Sequence, residues 1–171
     1  MSFIPSSDLL AALKPRLAEL TLPAPFVSAP AFDKVEIFRE ADVPKAMQEL
    51  RLFASRLCLL VPDGNEYEPG VEGRVLLTRC HRKLVILLAD KQPARPQEAS
   101  TGSATTPGAL LLAELVEDTL TARPVIAEPA YCEILSAEPA TITDENSQPG
   151  RVAWIIEARI FAGVTKASLT R

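Results

Sequence analysis

The chain has 171 residues, 47% of them apolar, with 22 acidic against 18 basic side chains and a net charge of −4. That length fits one domain with a proper core, residues 1–171, and no apolar run reaches the length of a membrane span. Scattered Lys and Arg on an acidic chain argue against a protein whose main task is gripping nucleic-acid phosphates, although nucleic acid could pass such a surface without sticking.

The N-terminus Met1-Ser2-Phe3-Ile4-Pro5 lacks the basic and apolar regions of a signal peptide. Cys58, Cys80 and Cys132 show no CxxC or other ligand spacing, which favours reduced thiols in a cytosol over a disulfide framework. Fifteen prolines against seven glycines concentrate in connecting segments and stiffen them.

In chain order, Ser6-Ser7-Asp8 offers an N-cap for a helix with Leu9, Leu10, Leu13, Leu17 and Leu20 on a usable face. Pro15 should kink it or divide it in two. Leu22 to Pro30 reads as an extended connector, so residues 1–33 form an N-terminal helix and a proline-rich link. Lys34 to Phe38 alternates as a short strand near an edge. Asp42 caps a second helix, with Pro44 in its first turn and Met47, Leu50 and Phe53 on one side. Arg56 to Val61 is a compact buried strand, closed by the strong turn signal Pro62-Asp63-Gly64-Asn65.

The stretch from Arg74 to Asp90 is the centre of the pattern. It holds no Gly or Pro and is rich in Val, Ile and Leu, and as one strand it would span roughly 50 Å at ~3.3 Å per residue. Leu76, Thr78, Cys80, Arg82, Leu84, Ile86 and Leu88 point to one face, and Val75, Leu77, Arg79, His81, Lys83, Val85, Leu87 and Ala89 to the other. Residues 84–89 are apolar on both faces, so both need a cover, from this chain or from a second copy.

Residues 92–106 form a polar loop longer than compact domains usually carry, either disordered or ordered by a partner. Thr106-Pro107 opens a third helix through Leu120, apolar at Leu111, Leu112, Leu115 and Val116. Tyr131 to Glu138 is a strand, Asp144 to Gly150 a solvated hairpin loop. The closing strand puts Val152, Trp154, Ile156, Ala158, Ile160 and Ala162 on one face, with Arg151, Ala153, Ile155, Glu157, Arg159 and Phe161 on the other. The expected fold is therefore α+β, an antiparallel sheet of four to five strands with helices packed on one face. Opposite the helices, Ile155, Phe161 and part of the 84–89 run should lie open to water.

Chemistry has little to hold. Cys80 and His81 are neighbours on a strand and point to opposite faces, so they cannot act together as nucleophile and base. A small enzyme or thiol protein using Cys80 or Cys58 with His81 is the alternative reading, and a small buried hydrophobe is the plainer account of each cysteine. No partner histidine or spaced carboxylate makes His81 a metal ligand, and no glycine-rich phosphate loop, GxSxG or HExxH occurs. No catalytic, cofactor-binding or metal residue is expected. Arg79, Arg82 and Lys83 make the densest positive patch. Pairing with Glu133, Glu138 or Glu157 on neighbouring strands is expected there, and nucleic-acid binding is the further option.

Several landmarks nevertheless fall in a characteristic order. Leu59-Leu60-Val61-Pro62-Asp63-Gly64-Asn65-Glu66-Tyr67-Glu68 precedes a long β-segment ending at Ala89-Asp90, then a polar loop and the helix Leu110 to Leu120. Pro129-Ala130-Tyr131 to Pro139 and the aromatic strand Ala153 to Phe161 close the set. Over roughly residues 34–163 the chain resembles the Mu-like phage tail proteins grouped with tail terminators and tail completion proteins. The resemblance implies a structural virion protein rather than an enzyme, without cofactor. It would form a homo-oligomeric ring, commonly hexameric, that caps the tail tube and stops its polymerisation. Its partners would be the tail tube protein and a neck or head-tail connector protein, with DNA passing through the lumen without specific binding and no membrane. Its place would be the tail or neck of the virion, after assembly in the host cytoplasm. An apolar sheet face covered by a neighbouring copy fits a heterologous ring contact.

Overall fold

The computed structural model describes residues 3–26, 29–38, 42–52, 55–72, 75–90, 101–103, 107–127, 130–141 and 152–168. Strands β1 (Lys34–Ile37), β2 (Leu57–Glu72), β3 (Val75–Ala89), β4 (Cys132–Thr141) and β5 (Val152–Ser168) form one sheet in the order β1-β2-β3-β5-β4. Helices α1 (Ser6–Ala18), α2 (Val43–Leu52) and α3 (Ala109–Thr121) pack on it. The class is α+β, as expected, and the sheet is mostly antiparallel. Its one parallel pair is β1 with β2, from Lys34 opposite Leu57 to Ile37 opposite Leu60. Parallel neighbours cannot be joined by a tight hairpin, and α2 is the crossover that brings the chain back.

The expected central strand holds. β3 lies between β2 and β5 and is antiparallel to both. On one face Cys80, Leu84, Ile86 and Leu88 join the main core with Leu9, Leu13 and Leu17 of α1 and Leu112, Val116 and Leu120 of α3. Ile156, Ala158, Ile160 and Ala162 of β5 enter the same core, so the apolar face read for the closing strand is the buried one. Cutting a fully buried Leu such as Leu13 or Leu17 back to Ala costs about 2–5 kcal/mol.

The opposite face requires a correction. Val85, Leu87 and Ala89, expected to lie partly open to water or under a second copy, are at most 5% exposed. They share a second core with Ala46 and Leu50 of α2 and with Leu57, Leu59 and Val61, and Ile155 packs at its margin. The cause is connectivity: the β1–β2 crossover lays α2 on this face, whereas α1 and α3 lie on the other.

Local signals fared unevenly. The Asp42 carboxylate accepts the Lys45 N–H at 3.0 Å, so the expected cap of α2 forms. By contrast α1 starts after Pro5 with no side-chain cap, and Pro15 sits inside an unbroken helix. The stretch expected to be an extended connector instead folds back, with Leu22 N–H on Ala29 O at 3.0 Å and Ala31 N–H on Leu20 O at 2.7 Å. Pro62-Asp63-Gly64-Asn65 is no turn. The register slips by one residue between Pro62 and Asn65 and β2 continues, with Gly64 at φ 93°. That is a β-bulge, for which a glycine at positive φ suits as well as for a turn. The loop expectations for 92–106 and 144–150 fall largely or wholly outside the described residues, as do Thr106 and Phe53.

α3 begins at Ala109, with Gly108 as its N-cap at φ 81° and no cap from its own side chain. The buried Asp90 supplies what is missing: its carboxylate accepts the Gly108 N–H at 2.7 Å. A negative group at a helix N-terminus also opposes the helix dipole favourably. At the other end, Arg16 of α1 donates to Thr119 O at 2.8 Å, a carbonyl left over by the last turn, and to Pro124 O just beyond the helix at 3.1 Å.

Candidate functional site

β2, β3 and β5 outrun their neighbours. β1 pairs with β2 only up to Leu60, and β4 pairs with β5 only up to Ile160. Beyond this level, among the described residues, the three strands continue alone as a ribbon, with Asn65–Glu72 against Val75–Arg82 and Val75–Cys80 against Gly163–Ser168. None of the described residues in 63–72, 75–79 and 163–166 is buried. Both borders of β3 are irregular where the arm leaves the body, at Gly64 in β2 and near Gly163 (φ 136°) in β5. Bulges of this kind raise the local twist and re-aim the strands.

The arm has two unlike faces. On the α1/α3 side, register aligns Tyr67 with Cys80, Pro69 with Thr78 and Val71 with Leu76. Tyr67, Val71 and Leu76 are 53%, 65% and 44% exposed, which makes an apolar strip on a surface strand. Phe3 covers only its base: its ring meets Tyr67 edge-on at 6.1 Å and sits over Gly163, where a Cβ would come within 3.3 Å of it.

The other face is ionic. Arg159 is its hub, donating to Glu133 at 2.7 Å, Glu68 at 3.1 Å and Glu66 at 3.2 Å. Hydrogen bonding to Arg159 holds the Glu133 carboxyl below its ordinary range, and the same contact, followed by that with Glu66, raises the guanidinium. His81 lies beside this hub with Nε2 3.6 Å from Glu68, its ring edge-on to Phe161 at 5.6 Å.

The residues singled out in the sequence are therefore split by the sheet. Cys58, Cys80 and Cys132 all sit in the main core, while His81 lies on the opposite face. Burial raises the Cys58 thiol far above its usual range and pushes Cys132 up to about 12, against a smaller opposing effect of Arg16. Thiolates are what make cysteines reactive, and both sites disfavour them. The basic patch is not brought together as a patch either. Lys83 pairs with Asp63 at 3.3 Å, and Arg82 binds Asn65 Oδ1 at 2.6 Å and Ile4 O at 3.0 Å. Glu133, one of the partners expected for the patch, is taken by Arg159 instead. Among the described residues, no group of three or more His, Cys, Asp or Glu could hold a metal ion, and no helix is long and apolar enough to cross a membrane.

The apolar strip and the Arg159 hub escaped sequence reasoning. The alternation of Glu66, Glu68 and Glu72 with Tyr67, Pro69 and Val71 is a strand signal, masked by the turn-like run before it. Set beside known proteins, the chain matches no family model and no curated protein.

Proposed function

We propose that the protein is a structural subunit of a phage tail, a ring-forming terminator that caps the tail tube, stops its growth and joins it to the neck. The observation that carries this reading is the three-stranded arm, on which Tyr67, Val71 and Leu76 form an exposed strip. Such a strip on a strand ribbon marks a contact surface rather than a reaction site. The resemblance to Mu-like tail proteins supplies the particle and the partners: further copies of the chain, commonly six, the tube protein and a neck protein.

The sheet body contributes less to assembly than its sequence suggests, because α2 covers the second face of the 84–89 run. Contacts between copies then fall to the arm. Turnover and a cofactor have no part in this role. DNA would traverse the ring without being held, in keeping with a net charge of −4.

Polymerisation of tail tube protein in the presence of the chain tests the role. Tubes of reduced length with added density at one end are the expected result in negative-stain images. Tubes of unchanged length, with no chain attached, would overturn it.

A further inference from the structure

We infer that the arms of successive copies join edge to edge, β5 of one beside β2 of the next, into one continuous sheet. This deepens the ring reading and rests on it. Among the described residues, no strand pairs with the outer side of β2 beyond Leu60 or of β5 beyond Ile160. Among the described residues, isolated backbone bonds alone reach the second border, from Phe161 N–H to Tyr131 O and from Ile4 N–H to Ala162 O. Each arm thus has two open edges at the same level, an arrangement that invites strand addition.

Direction and charge select the partner edge. β2 and β5 both run antiparallel to β3 and hence parallel to each other, so a head-to-tail copy places β5 alongside β2 in the same sense. Lys166 and Gly70 both lie opposite Leu77. A copy rotated about the arm direction without sliding therefore sets Lys166 against the next Gly70, with Glu68 and Glu72 flanking it on the same face. Those two carboxylates, Gly70, Leu77 and Arg79 line a cleft of about 320 Å³ at that edge. Arg159 already answers Glu68, but neither Glu72 nor Lys166 has an ion partner among the described residues. They are complementary charges on opposite borders.

Two-fold pairing is disfavoured by the same residues. Joining two β2 edges antiparallel about a two-fold axis would set the carboxylates of Glu66, Glu68 and Glu72 against one another, and joining two β5 edges would bring Lys166 towards Lys166 of the other copy. Pro69 gives its open edge no N–H, a gap met once in a head-to-tail contact and twice in a β2–β2 contact. Heterologous contacts that repeat by rotation close into rings.

Cysteine cross-linking tests the contact under conditions where the chain assembles, with tube protein added if required. Adjacent strands lie about 4.8 Å apart, close enough for a disulfide, and the native cysteines are buried. Lys166→Cys protein is mixed with differently tagged Glu68→Cys, Gly70→Cys or Glu72→Cys protein. A Cβ at Gly70 meets only Leu77, at an ordinary 3.9 Å. The expected result is a disulfide dimer in at least one mixture, none from any single variant alone, and a ladder of closed size from the matching double variant. Assembly by light scattering with no cross-link in any mixture would overturn the edge contact and leave the ring reading standing. Cross-linking of the Glu72→Cys or Lys166→Cys variant with itself would also overturn it, in favour of two-fold pairing. A chain that is monomeric throughout, tube protein included, would remove both.

Discussion

Cys58 and Cys132 set the response of the fold to alkaline pH. In the unfolded chain their thiols deprotonate near the ordinary value of 9.0, whereas in the fold burial holds the proton on Cys132 until about 12 and on Cys58 still longer. Above the ordinary value the unfolded state binds fewer protons than the folded one, so stability falls as pH rises. Urea unfolding measured at successive pH values above 9.0 should show that decline, and a Cys58→Ala, Cys132→Ala variant should flatten it. Arg159 acts at the other end of the scale. Glu133, depressed by its hydrogen bond to Arg159, contributes stability above the ordinary carboxylate range that is lost as pH falls through its folded value. In an Arg159→Ala variant the Glu133 carboxyl, followed by NMR, should titrate higher, towards its ordinary value. An unchanged titration would mean that the contact is not formed in solution.

α3 is held at both ends by residues outside it. Truncating Asp90 to Ala leaves the Gly108 N–H without its acceptor, and Arg16→Ala strips two carbonyl partners from the far end; each should cost about 1–3 kcal/mol in chemical denaturation. An exposed substitution such as Lys14→Ala should stay within about 0.5 kcal/mol. Asp90 closes the long strand in the sequence, yet its link to Gly108 joins residues 18 positions apart, beyond the reach of any local pattern. Elements with dense local periodicity were legible: β3 within one residue at each end, the buried face of β5, and α2 with its Asp42 cap. What was not legible depended on distant partners. Pro-Asp-Gly-Asn fits a turn and a bulge alike, and only pairing with β3 decides between them. Gly64 sits at φ 93°, and a Cβ placed on it would meet nothing within 4 Å. Gly64→Ala should therefore cost about 1 kcal/mol through backbone strain alone, without any steric clash.

At the scale of the molecule, the expectation that a sister copy must shield the sheet moves to a different surface. Helices of the same chain lie on both faces of the body, because the helix between β1 and β2 is the crossover of a parallel pair and packs on the face opposite α1 and α3. The arm carries exposed apolar surface instead: Tyr67, Val71 and Leu76 share one face of a three-stranded ribbon whose edges are open among the described residues. A charged substitution there, such as Val71→Glu, should leave thermal unfolding of the monomer nearly unchanged, since Val71 is 65% exposed, while weakening assembly. The most direct test of the whole account is the mass of the native chain by light scattering, alone and with tail tube protein. A closed oligomer of fixed copy number under at least one of these conditions is predicted; a monomer under both, at every concentration, would contradict it.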